Sequence, residues 1–220
     1  MKKIIFTVSL FLILFLLVAF KSQTVNSFPL FGKLIIIDVG HGSADPGSIY
    51  GSVYEKDYNL LFAKNLKKQL ETLGASVLMT RECDNDLSNP GGGSRKRSDF
   101  NNRIKLINES GADLYISLHM NYLNDTKYFG SQSFFSPVYE QNEKLAIILQ
   151  ERFNKFFNFS KEPKKIDNDK YMYKRLEVKG VLIEFGFMSN YNDRKNLRQE
   201  DYRKQLAEVI SDGIVEYFFE

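Results

Sequence analysis

Ile35-Ile36-Ile37-Asp38-Val39-Gly40-His41-Gly42 is an apolar run that ends in a histidine between two glycines. The β-branched residues read as a strand, and the glycines let the backbone turn sharply while leaving the imidazole unobstructed. Leu114-Tyr115-Ile116-Ser117-Leu118-His119 repeats the arrangement, and these two histidines are the only ones in the chain. Outward from these runs the apolar residues change period. Tyr58, Leu61, Phe62, Leu66, Leu70 and Leu73 recur at helical spacing up to Gly74, a C′ glycine, and Ala75–Met79 reads as a second strand. Phe100, Ile104 and Ile107 mark a helix closed by Gly111. Gln132–Phe135 is a weaker strand, and Leu145, Ile148, Leu149, Phe153, Phe156 and Phe157 form an amphipathic helical stripe. Val181–Phe185 is another strand, and Leu206, Val209, Ile210, Ile214 and Tyr217 lie on a last helix. Asp84–Ser98, containing Pro90-Gly91-Gly92-Gly93, and residues 158–170 read as polar loops. Strands alternating with helices predict an α/β domain: a central twisted, mixed but mainly parallel sheet flanked by helices on both faces. In such sheets sites gather beyond the carboxyl ends of the strands.

The first twenty residues read as an address. Met1-Lys2-Lys3 precedes a run from Ile4 to Phe20 without charge or proline. That run is at the short end for a membrane span and longer than a usual secretory core. Lys2 and Lys3 should stay cytoplasmic, which puts the rest outside the cytoplasmic membrane. No A-x-A cleavage site is evident, and no cysteine follows that would make a lipoprotein. The organisation expected is an N-terminal membrane anchor or signal segment over 1–20, a linker over 21–32, and one domain over 33–220, long enough for a single core. A net charge of +3 spread along the chain argues against nucleic acid as partner. Cys83, the one cysteine, cannot form an internal disulfide.

Four residues carry chemistry. His41 and His119 end two strands, Glu55 opens the first helix, and Glu184 sits inside the apolar strand Val181-Leu182-Ile183-Glu184-Phe185-Gly186-Phe187. Taken singly, each has an ordinary structural reading: a hydrogen-bonded histidine, an acid favoured by a helix N-terminus, a buried ion-pair partner. Two imidazoles and a carboxylate together make a common catalytic zinc set, with a fourth position left for water. Glu184 is costly to ionise in such a strand unless it is compensated, and a raised pKa would suit a proton shuttle. The spacing does not match H-E-x-x-H. The residues therefore reach a zinc hydrolase and leave the reaction open.

From about Lys33 to Tyr217 the chain resembles the zinc-dependent N-acetylmuramoyl-L-alanine amidase catalytic domain. The resemblance rests on Ile37-Asp38-Val39-Gly40-His41-Gly42 followed by Asp45-Pro46-Gly47, then Glu55-Lys56-Asp57 and Met79-Thr80-Arg81. It continues through Ser117-Leu118-His119-Met120-Asn121 and the strand from Val181 through Ser189-Asn190. Within the family, the single N-terminal segment and the loop Gly92-Gly93-Ser94-Arg95-Lys96-Arg97 look like the germination-specific, sporulation-linked amidases of spore formers. The resemblance implies one Zn²⁺ bound by His41, Glu55 and His119, catalysis by Glu184, and hydrolysis of the amide between the muramic acid lactyl group and L-alanine of peptidoglycan. In the spore cortex this step precedes muramic-δ-lactam formation.

Asn121 is a candidate substrate contact and Arg81 a candidate anchor for a peptide carboxylate. Ser43 stands where a third glycine is common, and Gly180 where a proline is. These departures could loosen the site, so an activating partner protein such as a sporulation lipoprotein is a candidate. Rival readings are a zinc peptidase on the stem peptides, a general vegetative amidase, and a silent wall-binding module.

Overall fold

The computed structural model describes residues 28–89, 91, 94–167 and 170–219. The anchor or signal segment expected over 1–20 lies outside them, as does most of the linker. Among the described residues no helix is long and apolar enough to cross a membrane.

The chain runs β1 (Leu34–Val39), a short hairpin β2 (Ile49–Tyr50) and β3 (Val53–Tyr54), α1 (Glu55–Thr72), β4 (Ser76–Met79) and α2 (Arg95–Glu109). It continues through β5 (Leu114–Asn121), β6 (Gln132–Phe135), α3 (Glu140–Phe157), β7 (Lys164–Lys165) and a 3₁₀ turn at Tyr173–Arg175. β8 (Gly180–Phe187), α4 (Tyr191–Leu197) and α5 (Glu200–Phe219) complete it. Six strands form one sheet in the order β4-β1-β5-β8-β6-β7. The first four are mutually parallel, and β6 runs antiparallel to β8. The mixed, mainly parallel sheet expected from the sequence is the one observed.

The period-2 alternation of each strand assigns its side chains to two unequal cores. Ile35, Ile37 and Val39 of β1 pack with Leu114, Ile116 and Leu118 of β5 on one face, under α1, α3 and α5. Ile36 and Tyr115 point to the other face, covered by Ile107 of α2 and the segment around Met172 and Leu176. α1 connects β1 to a neighbour on one side, whereas α2 carries the chain from β4 past β1 to β5. Crossovers of one hand that progress in opposite directions put their helices on opposite faces. Each fully buried isoleucine of β1 contributes roughly 1.5–3 kcal/mol, so the loop leaving this strand is rooted in the buried core.

Several elements differ from the sequence expectation. α2 starts at Arg95, a full turn before its first apolar residue Phe100, because Ser94 Oγ accepts the Arg97 N–H and caps it. The residues taken as the end of a polar loop are therefore its first turn. α4, the β2–β3 hairpin and the two-residue β7 were too short to leave a periodic signal. Gly74 and Gly111 take φ of 93° and 69°, as expected for helix-closing glycines.

Candidate metal centre

The parallel register sets His119 on β5 directly beside Glu184 on β8. Both belong to the face that carries Asp38 and Ser117, so they open toward the α2 side of the sheet. His41 follows β1 in a loop held at positive φ, 62° at His41 and 51° at Ser43. Non-glycine residues adopt that backbone at a cost and only when their surroundings hold them there. Here the holding groups are visible: the buried Arg103 guanidinium donates to the carbonyls of His41 and Val39, Lys56 Nζ donates to the Ser43 carbonyl, and Asp84 accepts the Ser43 N–H.

His41, Glu55 and His119 converge, each with one possible ligand atom within 4.8 Å of the others. His41 Nε2 is 3.1 Å and His119 Nδ1 is 3.0 Å from the same oxygen, Glu55 Oε1. The Met120 N–H also donates to Oε1, and the Ser48 N–H donates to Oε2. Glu55 reaches this point because it is the first residue of α1, where a carboxylate is also favoured by the helix dipole. Asn59, one turn along, donates to Glu55 Oε1 and to the Gly40 carbonyl, tying helix to loop. Two glycines make room. A Cβ on Gly40 would lie 2.4 Å from the His119 ring, and one on Gly47 would lie 2.6 Å from His41 and 2.7 Å from Glu55 Oε2.

The electrostatics favour positive charge between these donors. Burial opposes protonation of His41, but hydrogen bonds and charge from Asp45 and Glu55 outweigh it and raise the imidazole to about 9. Burial likewise opposes ionisation of Glu55, yet the two histidines hold its carboxyl well below the usual range. Asp45 accepts from His41 Nδ1 at 2.9 Å and is lowered to about 2, chiefly by that bond. That bond commits Nδ1 and leaves Nε2 for the centre, the arrangement that carboxylate–histidine pairs impose at metal sites. An ionised carboxylate and two fixed imidazoles, one ligand atom each, fit a tetrahedral zinc ion with one position to spare.

Glu184 is the outlier. Its Oε2 is buried and has no hydrogen-bond partner. Burial, then the Glu55 charge, pushes its carboxyl up to about 8. An unpartnered buried carboxylate costs stability and points to a function. His41, Glu55, His119 and Glu184 all line one cleft of about 700 Å³.

The other two candidates part ways. Asn121 lines the cleft. Arg81 does not: it is 3% exposed, and its guanidinium donates to the carbonyls of Val39, Gly40, Lys56 and Cys83. It clamps the His41 loop to α1 with no donor directed at substrate. Sequence reasoning gave no role to four supporting residues. Asp45 had a signal, four residues after His41. The buried ion pairs of Arg103 with Asp38 and Asp99, both 2.8 Å, had only the i,i+4 spacing to Asp99.

A family model described as N-acetylmuramoyl-L-alanine amidase matches residues 35–216. The chain is 38% identical over 231 residues to the germination-specific N-acetylmuramoyl-L-alanine amidase of Bacillus subtilis, covering all of this chain and 96% of that protein. It is 32% identical to the probable cell wall amidase LytH of Staphylococcus aureus, covering 86% of this chain and 60% of LytH. Among solved structures it is similar to the CwlD amidase of Clostridioides difficile, determined in complex with the GerS lipoprotein. The TM-score is 0.79 at 32% identity, over 86% of this chain and 99% of that one.

Proposed function

The chain belongs to the N-acetylmuramoyl-L-alanine amidase family, and from that premise we propose that it cuts the amide joining the muramic acid lactyl group to L-alanine in peptidoglycan. The observation that carries this reading is Glu184 Oε2, buried without a partner beside a His-Glu-His cluster. His41, Glu55 and His119 would hold one zinc ion, which supplies a Lewis acid and a water of lowered pKa. Glu184 Oε2 takes the proton of the attacking water and delivers it to the leaving alanine nitrogen. Without metal, burial and the Glu55 charge hold the Glu184 carboxyl up to about 8; the charge of a bound zinc ion would bring it down toward the range in which it can both take and return a proton at neutral pH. Asp45 keeps the His41 ring oriented, and the Met120 and Ser48 N–H groups hold the Glu55 carboxylate in place.

The 38% identity to a germination-specific amidase over the whole chain supports a substrate in the spore cortex, where removal of the whole peptide would prepare muramic-δ-lactam, over a vegetative wall substrate. Action on peptidoglycan implies an extracytoplasmic location, and the apolar segment over 4–20 would tether or export the domain. A lipoprotein partner is supported by the complex of the Clostridioides difficile neighbour. Mass spectrometry of products from purified peptidoglycan tests the reaction: an amidase frees intact stems that begin at L-alanine. Fragments cut within the stem would make the chain a peptidase instead.

A further inference from the structure

With Arg81 committed to backbone carbonyls, the cations of the cleft have to be sought elsewhere. Two lysines line it: Lys96 in the first turn of α2 and Lys170 ahead of the 3₁₀ turn. Among the described residues neither has a carboxylate at ion-pair distance, whereas three other cations near the cleft do. Lys56 pairs with Asp84 at 2.6 Å, Arg95 with Asp86 at 2.7 Å, and Arg103 with Asp38 at 2.8 Å. Lys96 stands over the Phe100 ring at 5.8 Å, a contact that leaves its N–H donors unused.

The two are built onto one wall. The Tyr171 ring lies between the guanidinium groups of Arg97, at 3.4 Å, and Arg175, at 3.7 Å, and its hydroxyl donates to Asn101 at 2.7 Å. This stack fastens the segment carrying Lys170 to the helix carrying Lys96. Two ammonium groups on one concave wall, neither ion-paired among the described residues, offer their donors to an anion that enters the cleft. On the amidase reading, the part of the substrate that is rich in anions is the stem peptide, whose free carboxylates follow the alanine.

We infer that Lys96 and Lys170 bind a free side carboxylate of the stem peptide beyond the scissile amide, and so select carboxylate stems over carboxamide stems. The inference rests on the amidase reading, and two measurements keep their failures apart. One is kcat/KM of the zinc-loaded protein on two soluble muramyl peptides that differ only in that group, acid or amide. The other is calorimetric binding of the corresponding free peptides to the same protein. Wild type should favour the acid about tenfold in both. K96Q/K170Q should bring the ratio near one, and K96E/K170E should invert it. K105Q, an exposed lysine elsewhere on α2, should leave it unchanged. An acid-to-amide ratio that the double variants do not move overturns the inference while leaving the amidase intact. Cleavage of neither muramyl peptide, together with lysine-dependent binding of the acid peptide, would sink the amidase reading and keep the anion site.

Discussion

Two buried charged regions lie two strands apart in the sheet, and they are built on opposite rules. Under the His41 loop, Arg103 is 2% exposed and Asp38 is 1% exposed. There Asp38 accepts from Arg103, Thr80 and Ser117, and Asp99 accepts from Arg103 and the Leu87 N–H. On β8, Glu184 has a carboxylate oxygen that accepts from nothing. The first region commits its donors to holding shape. The second keeps an acceptor open in a place where ionisation is costly. In these two regions the buried charge with complete partners holds shape, and the buried charge without them is kept for a ligand or a reaction.

The sharpest way to break this contrast is to neutralise each side in turn. Glu184→Gln should lower kcat by roughly 10²–10⁴-fold, the range for loss of a positioned general base, with the melting temperature unchanged or raised. Near-normal turnover would end its role. Arg103→Met should do the reverse. It strands Asp38 and Asp99 without their cation, so thermal unfolding should show a loss of about 3–5 kcal/mol, and zinc binding should fall as the His41 loop relaxes. If Arg103→Met unfolded like wild type, the network beneath the loop would not be what holds it.

Titration separates the regions next. Without metal, burial and the Glu55 charge push the folded-state Glu184 carboxyl up to about 8, above the ordinary value of 4.5, and chelator-treated protein should show it. The folded state therefore binds the extra proton, and stability declines as pH rises from near 4.5 through 8. The decline attributable to Glu184 is on the order of a few kcal/mol. The difference between wild type and Glu184→Gln across that range isolates it, and added zinc should flatten it. Asp38 should contribute in the opposite sense. Burial raises its pKa, but Arg103 and Ser117 outweigh that and lower it, so its contribution is present at neutral pH and is lost only in acid. Equal slopes for wild type and Glu184→Gln would mean that the carboxylate is already paired.

The contrast also explains what could be read from the sequence. The sheet was legible because Ile35–Val39 and Leu114–Leu118 are nearly uninterrupted apolar runs, and the four site residues stood out because each interrupts, ends or follows such a run. The scaffold left little trace. Arg103 faces β1 from α2 across 64 residues of sequence to Val39, and nothing in a helix reading as polar on most of its surface marks one arginine as buried. Arg81 was hard to read for the same reason: an arginine after a strand looks available until its four carbonyl partners are known. α4 stayed hidden because seven residues give less than two full periods, although Asn190 caps it with its side chain at 3.0 Å.

Asp45 lies between the two regions, and its effect should be the smallest. It is partly exposed, yet it makes the single side-chain bond to His41 Nδ1. Asp45→Asn keeps the shape and a hydrogen-bonding group while removing the charge that fixes the imidazole tautomer. Outer partners of this kind are worth about 10–100-fold in metal affinity. Competition with a chromophoric chelator should therefore show zinc held more weakly by that margin, with thermal stability of the metal-stripped protein little changed. Glu184 is not touched, so turnover at saturating zinc should recover to within severalfold of wild type. A loss of turnover that zinc does not restore would show that Asp45 acts on the proton transfer itself, and would move it from the scaffold to the reacting side of the comparison.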